Sequence, residues 1–241
     1  MLFNTQGIVL RTVKYGETSV VVSVFTEKFG IQSYIVNGIR TAGKNNKSQY
    51  FQPSALLDLQ VYHNELKSLQ RIKEVKWSIL LTNIFSDIFK NAVAIYAVEL
   101  LTKCLKQPEV NEDLFRFCTD FLQELNDGKP SIAANMPLYF AIHFSAFLGL
   151  KIQDNFSAIN PYFDYKEGNF TNRNDNYILT DKETSLHLAE LLKTLQPHDL
   201  QDIKLSQHRR ILLLNEFEKY YAWHVPDFGK MKSLAVLSQL F

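Results

Sequence analysis

Few residues in this chain could do covalent chemistry. The six histidines, at 63, 143, 187, 198, 208 and 224, are scattered, and none belongs to an H-E-x-x-H run. His198, Asp199 and Asp202 fall together in HDLQD, the arrangement closest to a metal ligand set or a hydrolytic site. The two acids follow Pro197, however, and first-turn carboxylates favour the dipole of a helix. His143 lies in an apolar helical stretch and reads as a core histidine. Phosphate-loop, dinucleotide and nucleophile-elbow glycine motifs are absent. Cys104 and Cys118 stand fourteen residues apart without C-x-x-C spacing and read as buried thiols of a reducing compartment. The balance points to binding rather than catalysis, so no enzyme is expected.

Charge carries more information. Residues 1–80 hold ten Lys/Arg against five Asp/Glu, a net +5, while the remainder carries −4. A chain divided this way faces different partners with its two halves, and the front half suits a polyanion. The cations that could meet phosphates are Arg11, Lys14, Lys28, Arg40, Lys44, Lys47, Arg71 and Lys73, and the aromatics that could stack on bases are Tyr34 and Tyr50. This reading requires an open positive face. In the acidic half, Arg209, Arg210, Lys230 and Lys232 form a local basic rim suited to an acidic peptide.

The elements that position these cations are strands. Alternation predicts strands over 7–13, 18–25, 31–36, 55–62 and 66–75, with a bulge in the last because Leu69, Ile72 and Val75 are spaced by three. Gly30 and Asn37-Gly38 mark turns, and Arg40 to Ser48 reads as a mobile polar loop. Five short strands fit a small closed barrel, of the oligonucleotide-binding (OB) type or the SH3-like type.

From Ile79 the period becomes helical. One helix is expected to about Leu105, with Glu99 a paired structural carboxylate inside it. Asn111 caps a second helix that Asp127-Gly128 stops, and a third spans 137–150. A β-hairpin follows within 152–180, turning at Lys166 to Asn169. Asp181 caps a helix to about Leu195, and further helices span 206–224 and 231–240. The fold class is therefore α+β in two domains, a five-stranded barrel over 1–80 and a helical domain with an inserted hairpin over 81–241. No run of eighteen apolar residues suggests a membrane span, and the N-terminus reads as strand rather than secretory signal.

Gly7-Ile8-Val9-Leu10, Tyr15-Gly16-Glu17, Val24-Phe25-Thr26, Gly30, Gly38 and Arg40 resemble, in order and spacing, the N-terminal signature of the RecO family of bacterial DNA-repair proteins. Tyr220-Tyr221, His224, Lys232-Ser233-Leu234 and Val236-Leu237 resemble its closing helices. The resemblance implies an N-terminal OB domain and a recombination mediator in the cytoplasm, associated with the nucleoid. Such a protein binds single- and double-stranded DNA and anneals complementary strands. It associates with RecR and the C-terminal tail of single-strand DNA-binding protein (SSB), helps load RecA, and hydrolyses no nucleotide. Only Arg40 among the candidate cations lies within the family-like run. Many relatives carry a four-cysteine zinc site in the segment matching 161–180, and this chain has no cysteine there. No zinc or other cofactor is therefore expected, and aromatic packing by Tyr162, Phe163, Tyr165, Phe170 and Tyr177 would hold the hairpin. The alternative is a protein–protein adaptor whose basic charge is incidental.

Overall fold

A computed structural model describes residues 1–39, 47–173, 177–179 and 181–241, with Lys47 and Leu179 described for their backbone only. The strands are β1 (Leu2–Tyr15), β2 (Ser19–Thr26), β3 (Gly30–Val36), β4 (Leu56–Tyr62) and β5 (Leu69–Ile79), and they close into a barrel in the order β1-β2-β3-β5-β4. β3 and β5 pair in parallel and every other ladder is antiparallel. This closure identifies the barrel as OB-type and sets aside the SH3-like alternative. Val9, Val20, Val22, Val24, Leu57, Leu59 and Val61 fill the interior from alternate positions of their strands.

Two bulges decide which side chains reach the surface. In β1 the register slips between Val9, opposite Val24, and Arg11, opposite Ser23. Val9 faces inward. Without the extra residue, strict alternation would send Arg11 inward too; with it, Arg11 points out. In β5 the slip places Ile72 opposite Val61 and Val75 opposite Leu59, so both pack on the core although three apart, as their spacing predicts. Leu69, the first of the three, is exposed, and Gln70 is the buried residue.

The helices that follow are α1 (Thr82–Ser86), α2 (Ile88–Cys104) and α3 (Glu112–Asp127). The single helix expected from Ile79 to Leu105 is thus two. Asp87 interrupts it, its carboxylate accepting from the Lys90 amide at 3.0 Å as a new N-terminus starts. By compactness the chain divides into Met1–Ser86 with Leu101–Asn126, and Asp87–Leu100 with Asp127–Phe241. The division expected at residue 80 is therefore not the division by compactness. Residues 101–126 cluster with the barrel because Phe115 of α3 meets Phe25 at 5.5 Å and because Glu109 lies over Gly30. Asn111 caps α3 through the Leu114 amide at 2.9 Å, as its position predicts.

In the second unit the elements are α4 (Pro130–Ala133), α5 (Met136–Phe147), strands β6 (Tyr162–Asp164), β7 (Asn169–Thr171) and β8 (Ile178–Leu179), α6 (Lys182–Leu192), α7 (Gln207–His224) and α8 (Lys232–Leu237). Asp181 and Ser206 cap α6 and α7 with their side chains. β6 and β7 form the expected hairpin, and β8 adds an unforeseen third strand. Phe163 and Phe170 face each other at 5.7 Å, Tyr165 meets Tyr177 at 5.8 Å, and Tyr177 meets Trp223 at 5.0 Å. Tyr162 instead lies under the Lys182 ammonium. The Tyr220-Tyr221 pair belongs to this core, with the Tyr221 hydroxyl donating to the Ala141 carbonyl at 2.7 Å.

Glu99 is structural. The residue preceding α8 is Met231, which has no side-chain oxygen to cap the helix. The Glu99 carboxylate supplies the cap, accepting from the Lys232 amide at 2.9 Å and from the Ser233 amide at 2.7 Å, and from the Ser233 hydroxyl. Glu99→Ala is expected to cost about 2–3 kcal/mol, with Glu99→Gln between it and the parent, because charge-assisted bonds are the strong ones. Denaturant midpoints of the three chains check this order.

Candidate nucleic-acid interface

Residues opposite each other in a ladder point to the same face, so the registers trace rows around the barrel's exterior. One row visits every strand: Val13 on β1, Val21 on β2, Ile35 on β3, Arg71 on β5, Tyr62 on β4 and Leu2, back on β1. The neighbouring row is Arg11, Ser23, Ser33 and Leu69. The two rows form a belt of small, apolar and aromatic side chains with Arg11 and Arg71 set into it. Val13 is 43% exposed and Tyr62 50%. Arg11, Lys14, Lys28 and Arg71 are exposed and make no ion pair with any described residue. The face over β2 and β3, with the β1–β2 and β4–β5 loops, is where OB barrels take oligonucleotides.

Beyond the bulge, the β4–β5 ladder carries acids. A groove of about 490 Å³ is lined by Glu27, Asp58, Glu74 and Lys76 among others. Lys76 lies 3.4 Å from Asp58, and Lys73 lies 3.9 Å from Glu74. Lys73, expected to contact phosphate, is thus paired on the acidic side of the bulge. Lys28 lies in the β2–β3 turn, where it shares a groove with Lys67 and Lys106. Arg40 and Lys44 lie outside the described residues, as does the side chain of Lys47.

Both stacking candidates need revision. Tyr34 is 0% exposed: it is an inward residue of β3, packed in the barrel core, and burial pushes its phenol well above the usual range. It cannot meet a base. Tyr50 is half-buried against the core with its ring 5.0 Å from Trp77. Among the described residues of the barrel the exposed aromatics are Tyr15 and Tyr62, which sequence reasoning missed. The signal was available for Tyr62. With Leu57, Leu59 and Val61 facing in, the next position must face out.

The basic rim of the second unit is also mostly engaged. Arg209 pairs with Glu183 and lies 3.4 Å from the His187 imidazole. Arg210 donates to Asn135 at 2.9 Å and lies over the Phe241 ring, and burial lowers its pKa. Neither arginine is an open peptide contact, because partners far away in sequence claim both. Lys230 and Lys232 are exposed.

The other candidates resolve into structure. His143 lies 2.9 Å from the Thr194 carbonyl and 4.2 Å from the Tyr139 ring, and burial lowers its pKa. The Asp199 carboxylate accepts from the Leu195 and Gln196 amides, which occupies it as a turn acid. Burial pushes the Cys104 thiol up to about 12 and the Cys118 thiol higher, so neither is a ready thiolate. Among the described residues no three His, Cys, Asp or Glu side chains converge as metal ligands. Among the described residues of the hairpin the buried acid is Asp164, which accepts from the Lys166 and Glu167 amides, and the Phe163 and Phe170 rings face each other. Among the described residues no helix is long and apolar enough to cross a membrane.

Residues 1–79 match the family model described as recombination protein O N terminal, and residues 85–235 match that described as recombination protein O C terminal. The chain is 34% identical over 246 residues to a DNA repair protein RecO of Bacteroides fragilis, with both chains fully covered. Proteins of the same name from Flavobacterium psychrophilum and Flavobacterium johnsoniae are 32% and 31% identical, again over the full length of both chains. The OB-type barrel, the helical remainder and matches covering most of the sequence lead to one conclusion: the chain belongs to the RecO family of DNA repair proteins.

Proposed function

We propose that this chain is a recombination mediator that works by binding, without catalysis. Family membership places it in DNA repair and recombination. Within that role, the barrel would hold single- and double-stranded DNA by its phosphates and bring complementary strands together. The protein would help load RecA onto SSB-coated single strands, with RecR and the SSB tail as partners. Lys230 and Lys232 are the remaining candidates for an acidic peptide.

The observation that carries the reading is the belt around β1, β2, β3 and β5, whose arginines have no acidic partner among the described residues. Each cation that neutralises a phosphate releases a condensed counterion, and that release drives association. Two strands that repel each other can approach once their charge is covered. Backbone contacts do not read base edges, so little sequence preference is expected, as annealing of any complementary pair requires.

Fluorescence anisotropy with a labelled single strand at rising salt tests this. Four open cations, Arg11, Lys14, Lys28 and Arg71, give log affinity a slope near −3 against log salt, at roughly 0.7 per phosphate. A flat response, or no binding at low salt, would reduce the chain to a protein–protein adaptor. The cofactor-free reading is tested by elemental analysis of the purified chain, with stoichiometric zinc as the contrary result.

A further inference from the structure

We propose that the cleft at the β4–β5 end of the barrel is a subsite for one nucleotide of a single strand, its base on Tyr62 and its phosphate between Arg71 and Lys67. The proposal rests on the DNA-binding reading above and adds to it the residue that separates single strands from duplex.

The cleft encloses about 230 Å³, and Tyr62, Lys67, Leu69, Gln70 and Arg71 are among its lining residues, none of which is a carboxylate. Glu65, in the same loop, lines the neighbouring groove instead. Pockets for drug-sized ligands run to roughly 300–1,000 Å³, so this one suits a single base with its sugar. Tyr62 and Arg71 are direct cross-strand partners, which sets their Cβ atoms about 5 Å apart on the outer face. Half of the Tyr62 surface is open to solvent. A half-open ring beside a guanidinium is the arrangement that holds an unpaired base and its phosphate.

The loop that completes the cleft is held in place from below. Gln70 is 3% exposed and accepts from the Asn64 amide at 3.0 Å while donating to the Asn64 carbonyl at 2.8 Å and to the Lys67 carbonyl. The Asn64 side chain accepts from the Leu66 amide at 3.0 Å. The backbone that carries Lys67 is thereby held at the cleft before any ligand arrives, which lowers the ordering cost of binding. The cleft is also continuous with the belt, since Leu69 lies opposite Ser33 and Arg71 opposite Ile35. A strand tracking Arg11 and Arg71 over β2 and β3 reaches Tyr62 next. Duplex bases have no free face to offer a ring, so this contact is available to unpaired strands alone.

The test titrates the full chain, Tyr62→Ala and Tyr62→Phe with a labelled single strand and with a duplex of the same sequence. Tyr62→Ala is expected to bind the single strand about 5- to 150-fold more weakly, the range for loss of one stacked base, with duplex affinity within about twofold of the parent. Tyr62→Phe keeps single-strand affinity. On a strand of abasic sites the parent and Tyr62→Ala bind alike. Tyr62→Trp gives a direct reading: its fluorescence beyond that of the parent's two tryptophans is quenched by the single strand and not by the duplex. Unchanged single-strand binding by Tyr62→Ala, or equal loss for both DNA forms, overturns the subsite and leaves the wider interface standing. A parent chain that binds neither form at low salt overturns the interface itself.

Discussion

Gly30→Ala is expected to lower the melting temperature by about 6–12 °C. Two costs coincide at this residue. Its φ is +61°, a region where an L side chain costs roughly 1–2 kcal/mol. A Cβ there would also run into the Glu109 carbonyl oxygen and stand 2.8 Å from the Pro108 carbonyl carbon. Both obstacles are backbone, so no rotamer change removes them, and overpacking of this kind adds about 1–3 kcal/mol. A total near 3 kcal/mol gives the stated shift for a chain of this size. Gly16→Ala separates the two costs. Gly16 has φ +65° but nothing within 4 Å of its notional Cβ, so only the backbone term applies and the expected shift is about 2–8 °C, below that of Gly30→Ala. Equal shifts in circular-dichroism melts would mean that residues 108–109 do not press on the β2–β3 turn. The turn is otherwise closed by Thr26, whose hydroxyl donates to the Gly30 carbonyl at 2.8 Å and accepts from the Phe29 amide at 3.1 Å.

The second large effect is on DNA. Arg11→Ala with Arg71→Ala is expected to weaken single-strand binding about 25-fold at 0.1 M salt and to make the salt slope shallower by about 1.4. The figures follow from roughly 0.7 counterion released per phosphate contact, which at that salt is about fivefold for each contact. Affinity should fall alike for every sequence, because phosphates carry none of the code. The matched control is Lys73→Ala with Lys76→Ala. It removes the same two charges from the same barrel, but these lysines already lie beside Glu74 and Asp58. Its expected loss is under threefold, since Glu74 stands three residues along β5 from Arg71, about 10 Å and a Debye length at this salt, and both liberated acids are screened by solvent. Equal losses for the two pairs would show that net charge alone matters and that the face does not. Arg11→Lys with Arg71→Lys should keep the slope.

Local signals in the sequence were enough for a great deal. Alternating valines and leucines specify strands because a half-buried strand repeats every two residues, and Asn111, Asp181 and Ser206 mark helix starts because a side-chain oxygen there satisfies orphan amides. The charge difference between the halves and the Phe25-Thr26/Gly30 run could likewise be read without coordinates, since each depends on neighbours within a few residues.

What could not be read depended on partners distant in the chain. β3 is apolar on both faces, so only pairing with β2 and β5 decides that Tyr34 goes into the core while Ile35 joins the outer belt. A one-residue bulge after Val9 turns Arg11 outward, and a bulge's position is set by the strand opposite. Arg210 meets Asn135 across 75 residues of chain, so its exposure was undetermined until the helices packed. The sequence alone determined the strands, the helix ends and the surplus of positive charge. Tertiary structure decided which of those charges stand open, because facing is a property of closed ladders and packed helices rather than of residue order.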